Sequence, residues 1–263
     1  MNIIIRKVRV LAAPEPVFVG TRLTVVASEG QMTFKIVSAK KVTDRPCIRV
    51  DWNDGIVDEI AGDISNLEHT YEKEGVYEIE IGDDIESFAL SGSMPTSSSS
   101  MLVRVFSNAP SLTVLEYACF KSCANLVEFD LADSGILEIP AAGFASCSSL
   151  RSLVGLPRVL TGFGTSAFLQ CSALETLGEI PSGVKCLKTA NFRLCTSLTE
   201  RIDLPHIETL DYPNAASAPF VGCTGITEIH FAESHKESIQ ASIGWQKSQN
   251  LGAVNATVFF DLL

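Results

Sequence analysis

The chain has 263 residues, 46% hydrophobic and 19% charged, enough to bury a sizeable core in one large domain or two ordinary ones. Its formal net charge is −11, made of −6 over residues 1–92 (10 basic, 16 acidic) and −5 over the remainder (10 basic, 15 acidic). An acidic chain without a basic stripe repels phosphate backbones, which argues against nucleic acid as a partner. No apolar run approaches the ~18 residues of a membrane span, and MNIIIRKVRV holds too short an apolar run for a standard secretory leader.

Residues 1–92 show no helical periodicity. MNIIIRKVRV, TRLTVVAS, MTFKIVS, CIRVDW and VYEIEI read as strands separated by turn residues. Tyr77, Ile79 and Ile81 alternate with Glu78 and Glu80, the pattern of a half-buried strand, and Asp54-Gly55 marks a tight turn. A small antiparallel β-sandwich is expected. Trp52, Asp54, Gly55, His69, Tyr71, Gly75 and Tyr77 in VDWNDG…HTYEKEGVYEIEI resemble the PKD repeat, an immunoglobulin-like extracellular module, with a shortened Trp52–Asp54 spacing. His69 and Tyr71 are expected to be structural. From Asp51 to Glu86 there are 13 acids and one base, Lys73, which reads as a solvated acidic face with calcium as the rival.

SGSMPTSSSSM is a linker by composition, with a loop of the fold as the alternative to a free tether, and the domain boundary is expected within residues 83–101. Domains at 1–92 and 93–263 follow. IESFAL before the serine run and LVRVFSNAPSLTVL after it read as incomplete first units of a repeat.

The repeat holds one phase over most of its length. Cys123, Cys147, Cys171 and Cys195 lie 24 residues apart, and Cys223 follows after 28. Phe120, Phe144, Phe168, Phe192 and Phe220 each stand three residues before a cysteine; Leu126, Leu150, Leu174, Leu198 and Ile226 each stand three after. Leu112, Ile136, Leu160 and Val184 run in step, paired with Leu115, Ile139, Phe163 and Leu187, and Ile207 with Leu210 continues the series. Such a period implies units that bury their apolar positions only against their neighbours. The apolar segments are too short for helices, so two brief strands per unit are expected, stacked into two ladders. Pro157, Pro181 and Pro205 fit turns leaving the second strand. In one unit Ile136, Ile139, Phe144, Cys147, Leu150, Leu153 and Leu156 are predicted to point inward. Arg201 takes the place of Leu153 and Leu177, with Ile202 turned inward by a bulge.

A cysteine at a fixed inward position reads as a small buried hydrophobe. A disulfide is the main rival, since equivalent α-carbons of stacked units about 5 Å apart fall within its reach. It would leave one of the five unpaired. There is no C-x-x-C pair and no histidine at ligand spacing, so no metal site is read, and no recurring histidine to activate a nucleophile.

GFASCSSLRSLVGLP and SAFLQCSALETLGEIP resemble the BspA-like leucine-rich repeats. The resemblance implies a right-handed solenoid of about 24-residue coils, mainly β, and a bacterial surface or secreted protein of host interaction. GFGTSA at 162–167 matches a dinucleotide fingerprint, but Gly162 and Gly164 align with Glu138 and Pro140 of the preceding unit, in a turn without the required helix. After Phe231 the repeat stops. Ser234 and Glu237 form a capping-box signature opening SHKESIQASIGWQK, Ile239 and Ile243 share a helical face, and ATVFF reads as a closing strand; residues 233–263 are a C-terminal cap.

No catalytic motif, cofactor or metal is called. The expected function is non-enzymatic binding or adhesion to a protein or carbohydrate, extracellular or at the cell surface. The alternative is a structural component of a prophage particle or other assembly, with a cytoplasmic or particle location. The candidate ligand surface is the residue five after each repeat cysteine, Glu128, Ser152, Thr176, Glu200 and Glu228. The inserted stretch DYPNAASAP adds Tyr212 and Asn214.

Overall fold

The computed structural model describes residues 18–91 and 96–263; the predicted strand MNIIIRKVRV lies outside them. The first part of the chain forms β1 (Gly20–Ala27), β2 (Thr33–Lys41), β3 (Ile48–Asp51), β4 (Val57–Ile60), β5 (Ile64–Thr70), β6 (Gly75–Gly82) and β7 (Ile85–Ala89). Alternation sets their faces: Ile79 and Ile81 are buried while Glu78 is exposed, and Leu23, Val25 and Ala27 are buried on the paired strand β1. Strands β4 and β5 were not anticipated, because VDEI and ISNLEHT carry too few apolar residues to stand out. The β3–β4 hairpin turns at Asn53 (φ 64°) and Gly55 (φ 96°), in the stretch read as a tight turn.

The serine run is not a loop. It forms a short helix, α1 (Ser97–Met101), against β2, with Ser98 and Ser99 buried and Ser98 Oγ accepting the Lys35 amide at 2.6 Å. Small hydroxyl side chains fit because they are both thin and able to satisfy buried donors. There follow β8 (Leu102–Ser107), β9 (Val114–Leu115), β10 (Glu128–Asp130), β11 (Glu138–Ile139), β12 (Gly162–Phe163), β13 (Cys186–Lys188), β14 (Thr199–Leu204), β15 (Thr209–Asp211) and β16 (Gly225–Ala232). The last elements are α2 (Lys236–Ala241), α3 (Ile243–Lys247) and β17 (Thr257–Leu262).

The two parts share sheets. One sheet has the order β10-β8-β1-β6-β3-β4, and another β5-β2-β7-β9. Strand β8 pairs antiparallel with β1 and parallel with β10; β7 pairs antiparallel with β2 and parallel with β9. IESFAL and LVRVF therefore do head the two ladders, and they also complete the N-terminal sheets. Side chains tie the same seam: Glu116 accepts from Ser38 and Ser87 (2.6 and 2.9 Å), and Asn108 bonds the Gly20 amide and the Phe18 carbonyl (2.9 Å each). The buried apolar residues of both parts form one cluster.

All seven inward positions predicted for the Ile136–Leu156 unit are buried. The phenylalanines stack in a column, Phe88–Phe120–Phe144–Phe168–Phe192–Phe220, with centroids 5.1–6.1 Å apart. The column starts on β7, in the N-terminal part. Arg201 is exposed and Ile202 buried, with the register slipping between Glu200 and Arg201 as the bulge requires. The turns at Pro157 and Pro181 close by an i to i+3 bond to the proline carbonyl, from Leu160 N and Val184 N, whereas at Pro205 the bond runs from Ile207 N to Leu204 O.

A third ladder, invisible in the hydrophobic pattern, joins the F-x-x-C segments. The amides of Ala142, Phe144 and Ser146 donate to the carbonyls of Thr165, Ala167 and Leu169 one unit on, and the same triplet repeats from Ala118 to Leu194. Left-handed residues at Ala118, Ser122, Ala142, Ser146, Ser166, Gln170, Ala190 and Leu194 (φ 54–62°) accompany this pattern. Each such non-glycine residue costs about 1–2 kcal/mol of local conformation, offset by the inter-unit bonds. The cysteines complete this seam. Phe144 O accepts the Cys147 amide of its own unit (3.2 Å) and the Cys171 thiol of the next (3.1 Å). Cys147, Cys195 and Cys223 donate equivalently to Phe120, Phe168 and Phe192, and Cys119 to Phe88. All eight cysteines are free, so the disulfide rival falls. Burial pushes the Cys123 and Cys223 thiols up to about 12, and those of Cys119 and Cys147 well above the ordinary value.

The cap differs from its prediction. The N-cap of α2 is His235, without a side-chain cap, so the Ser234/Glu237 capping box does not form. Extended backbone at Ser242 (ψ 152°) splits the expected single helix, and Ile243 is left exposed rather than beside buried Ile239. The closing strand is β17, parallel to β16. His230 on β16, stacked on Phe259, has Nδ1 2.7 Å from Asp261 and Nε2 3.0 Å from Glu228, pinning the last strand.

Candidate functional site

A concave surface of about 590 Å³ lies where the N-terminal sheet runs into the repeats. Its floor crosses β1, β8 and β10 and continues to Ser152–Gly155, which bridges to Asp130. It forms because β8 is shared, so outward side chains from an antiparallel sheet and from a parallel ladder meet on one face. Gly155 permits the close approach: a Cβ there would stand 2.1 Å from the Phe129 carbonyl oxygen.

Two arginines line it, each paired along the sheet. Arg22 Nε donates to Glu80 (2.8 Å), with its guanidinium 4.2 Å from the Phe18 ring centroid, and Arg104 Nε contacts Glu128 (2.9 Å). The Arg104–Glu128 pair is exposed and the Arg22–Glu80 pair half-buried, and pairs this open to solvent contribute little stability. Glu78 and Asp130 add further carboxylates to the groove, and Val154, 78% exposed, supplies an apolar contact. The arrangement offers paired charges and a hydrophobic knob over an open surface, which suits recognition of a macromolecule. Among the described residues no three or more His, Cys, Asp or Glu side chains gather as a metal site.

Of the predicted surface, Glu128 and Ser152 lie together in this groove, and Ser152 bridges to Thr176 on the neighbouring unit. Glu200 is exposed but sits at the bulge with φ 61°, opposite Ile226. Glu228 is half-buried against His230. Asn214 is exposed and accepts from Ser217 at 3.0 Å. Tyr212 is a correction: it is fully buried, so it offers no ligand surface. Its hydroxyl donates to the Ser248 carbonyl at 2.7 Å, and Gly244 of α3 lies against its ring, where a Cβ would approach to 2.6 Å. Burial pushes the phenol's pKa up. The inserted stretch thus uses its aromatic to seat the cap.

Sequence reasoning missed Arg22, Arg104 and Val154. Arg104 stands 24 residues before Glu128 and was within reach of the repeat register. Arg22 was not, because antiparallel pairing of β1 with β8 has no periodic signature. His69 and Tyr71 are structural as expected. His69 stacks on Trp52 (4.6 Å) and bonds Asp54 (2.7 Å), while the Tyr71 hydroxyl donates to the Trp52 carbonyl (3.3 Å). The GFGTSA stretch is a ladder segment, in which Gly164 packs where a Cβ would lie 2.3 Å from the Ala141 amide nitrogen.

No helix among the described residues is long and apolar enough to cross a membrane. A leucine-rich repeat protein of T. pallidum, known from its crystal structure, is similar at 16% identity with a TM-score of 0.38, over 67% of this chain and 70% of that one. No curated protein matches the chain. The family model for the BspA type leucine rich repeat region matches residues 113–248 in 6 copies. The chain belongs to the BspA-type leucine-rich-repeat family.

Proposed function

We propose that this is a non-enzymatic recognition protein, at a bacterial surface or secreted, that binds a protein partner across the junction groove. The repeats are read as a right-handed solenoid of about 24-residue coils, and residues 1–92 as a PKD-like sandwich that supports it. The observation carrying the reading is the placement of Glu128 and Ser152, two outward ladder positions, beside Arg104 and exposed Val154 in one open groove. Its carboxylates and the chain's net charge of −11 favour a partner segment carrying basic side chains.

The test is a binding screen of the whole chain against purified extracellular matrix and cell-surface proteins by surface plasmon resonance. A Glu128→Lys/Val154→Arg variant should weaken the retained partner at least about tenfold, the effect of losing ~1.4 kcal/mol. A Val114→Arg variant, on the other ladder, should not. Equal binding by all three chains would sink the groove as the site. The assembly-subunit reading has one observation in its favour, the position of β17 at the edge of the order β14-β16-β17, without a further strand partner among the described residues. Light scattering showing a discrete oligomer would favour that reading.

A further inference from the structure

We infer that the C-terminal cap carries a second, independent site for a neutral saccharide. An open pocket of about 400 Å³ lies between the cap helices and β17, within the range of about 300–1,000 Å³ common for small-ligand sites. Its apolar side is Trp245, Val258 and Phe260, and its polar side is Gln240, Gln249 and Asn250. No lining side chain is charged.

The pocket follows from how the repeat ends. Val258 and Phe260 alternate along β17 on its core-facing side and are only partly buried, since two short helices cover less than a full unit does. Trp245 from α3 packs on the same core and meets Phe260 edge-on, with centroids 5.6 Å apart and planes at 62°. The Asn250 amide is held in place. Its Oδ1 accepts from the Ser248 hydroxyl (2.8 Å) and the Gly252 amide (3.2 Å), which leaves its NH2 group for a ligand. Gln240 and Gln249 are exposed at the rim.

This combination selects its ligand. An aromatic face takes the apolar C–H face of a pyranose ring. Side-chain amides supply both donors and acceptors, matching hydroxyls that do both. An anionic ligand finds no cation in the lining, because Lys236, 5.7 Å above the Phe260 ring, is paired with Glu233 at 3.2 Å. A pyranose with equatorial hydroxyls, as in glucose- or N-acetylglucosamine-based oligosaccharides, fits best.

Tryptophan fluorescence of the whole chain tests this directly. The chain has two tryptophans, and Trp52 is fully buried, so a ligand-dependent change reports Trp245. Cellotetraose and chitotetraose are the neutral probes; sialyllactose and a heparin tetrasaccharide are the anionic ones. A saturable change with at least one neutral probe is expected. Gln240→Ala and Gln249→Ala should each weaken it about fivefold, the loss of one hydrogen bond, with the urea midpoint unchanged. No saturable response to either neutral probe overturns the inference. A response only to the anionic probes, or one indifferent to both amide variants, overturns it equally.

Discussion

The N-terminal part and the repeats bury comparable side chains by different logic. In residues 18–91 each strand finds an antiparallel partner elsewhere in the sequence, and the core holds unique neighbours such as Trp52 on His69 and Tyr71 on Tyr77. In the repeats each residue meets its own counterpart one unit away, so Phe stacks on Phe and each repeat thiol from Cys147 to Cys223 donates to a phenylalanine carbonyl of the unit before. A translational core is specified by one small set of residue types reused many times. A hairpin core requires each pair to be specified separately. What the two share is β7 and β8, each antiparallel on one side and parallel on the other.

The thiols offer the strongest lever on this contrast. Unfolded thiols ionise near 9, while folded Cys123 and Cys223 hold their protons to about 12. Between those values the unfolded state binds fewer protons, so stability falls as pH rises by about 1.4 kcal/mol per pH unit for each such thiol, and below 9 the contribution is complete. Tyr71 and Tyr212, also pushed up by burial, add to the loss only above about 10. Urea midpoints measured from pH 7 upward should therefore decline from about pH 9. A flat profile to pH 11 would show that the repeat cysteines are not buried donors.

Phe144→Ala should cost about 3–5 kcal/mol, since it removes the centre of the aromatic column. Because the core is continuous, Trp52 in the N-terminal part and Trp245 in the cap should report the same lowered midpoint. If Trp52 kept the wild-type transition, the two parts would be independent folding units. Gly155→Val should cost about 1–3 kcal/mol through the contact with the Phe129 carbonyl. Gly62→Ala, with open space at its Cβ, should stay within about 0.5 kcal/mol in the same denaturation series.

The smallest effect separates the two cysteine environments. Cys147→Ala removes a thiol bonded to Phe120 O and should cost about 1 kcal/mol, whereas Cys47→Ala, half-exposed, should be near neutral. Native-state labelling with a thiol reagent should modify Cys47 and Cys186 well before any of the six buried cysteines. Rapid labelling of Cys147 would overturn the packing described for it.

Periodic features were the ones readable in advance. The 24-residue register placed every inward position from Ile136 to Leu156, the bulge at Arg201 and the strand heads in IESFAL and LVRVF. Elements without a repeat or a strong alternation were missed or misread: β4, β5, the helical serine run and the break at Ser242. The groove was half legible. Glu128 and Ser152 follow from phase, but Arg22 enters only through its antiparallel neighbour β8.

The sequence by itself determined the unit, its period and which side chains it buries, because a translational core writes the same contact into the chain again and again. It also determined that the cysteines are packing groups, through their constant distance from phenylalanine. Only the tertiary structure decided that the repeats grow out of the N-terminal sheets, that Tyr212 seats the cap instead of facing a ligand, and where a groove opens. Those outcomes depend on pairings between segments far apart in the chain and on the space left between them, and neither leaves a period to read.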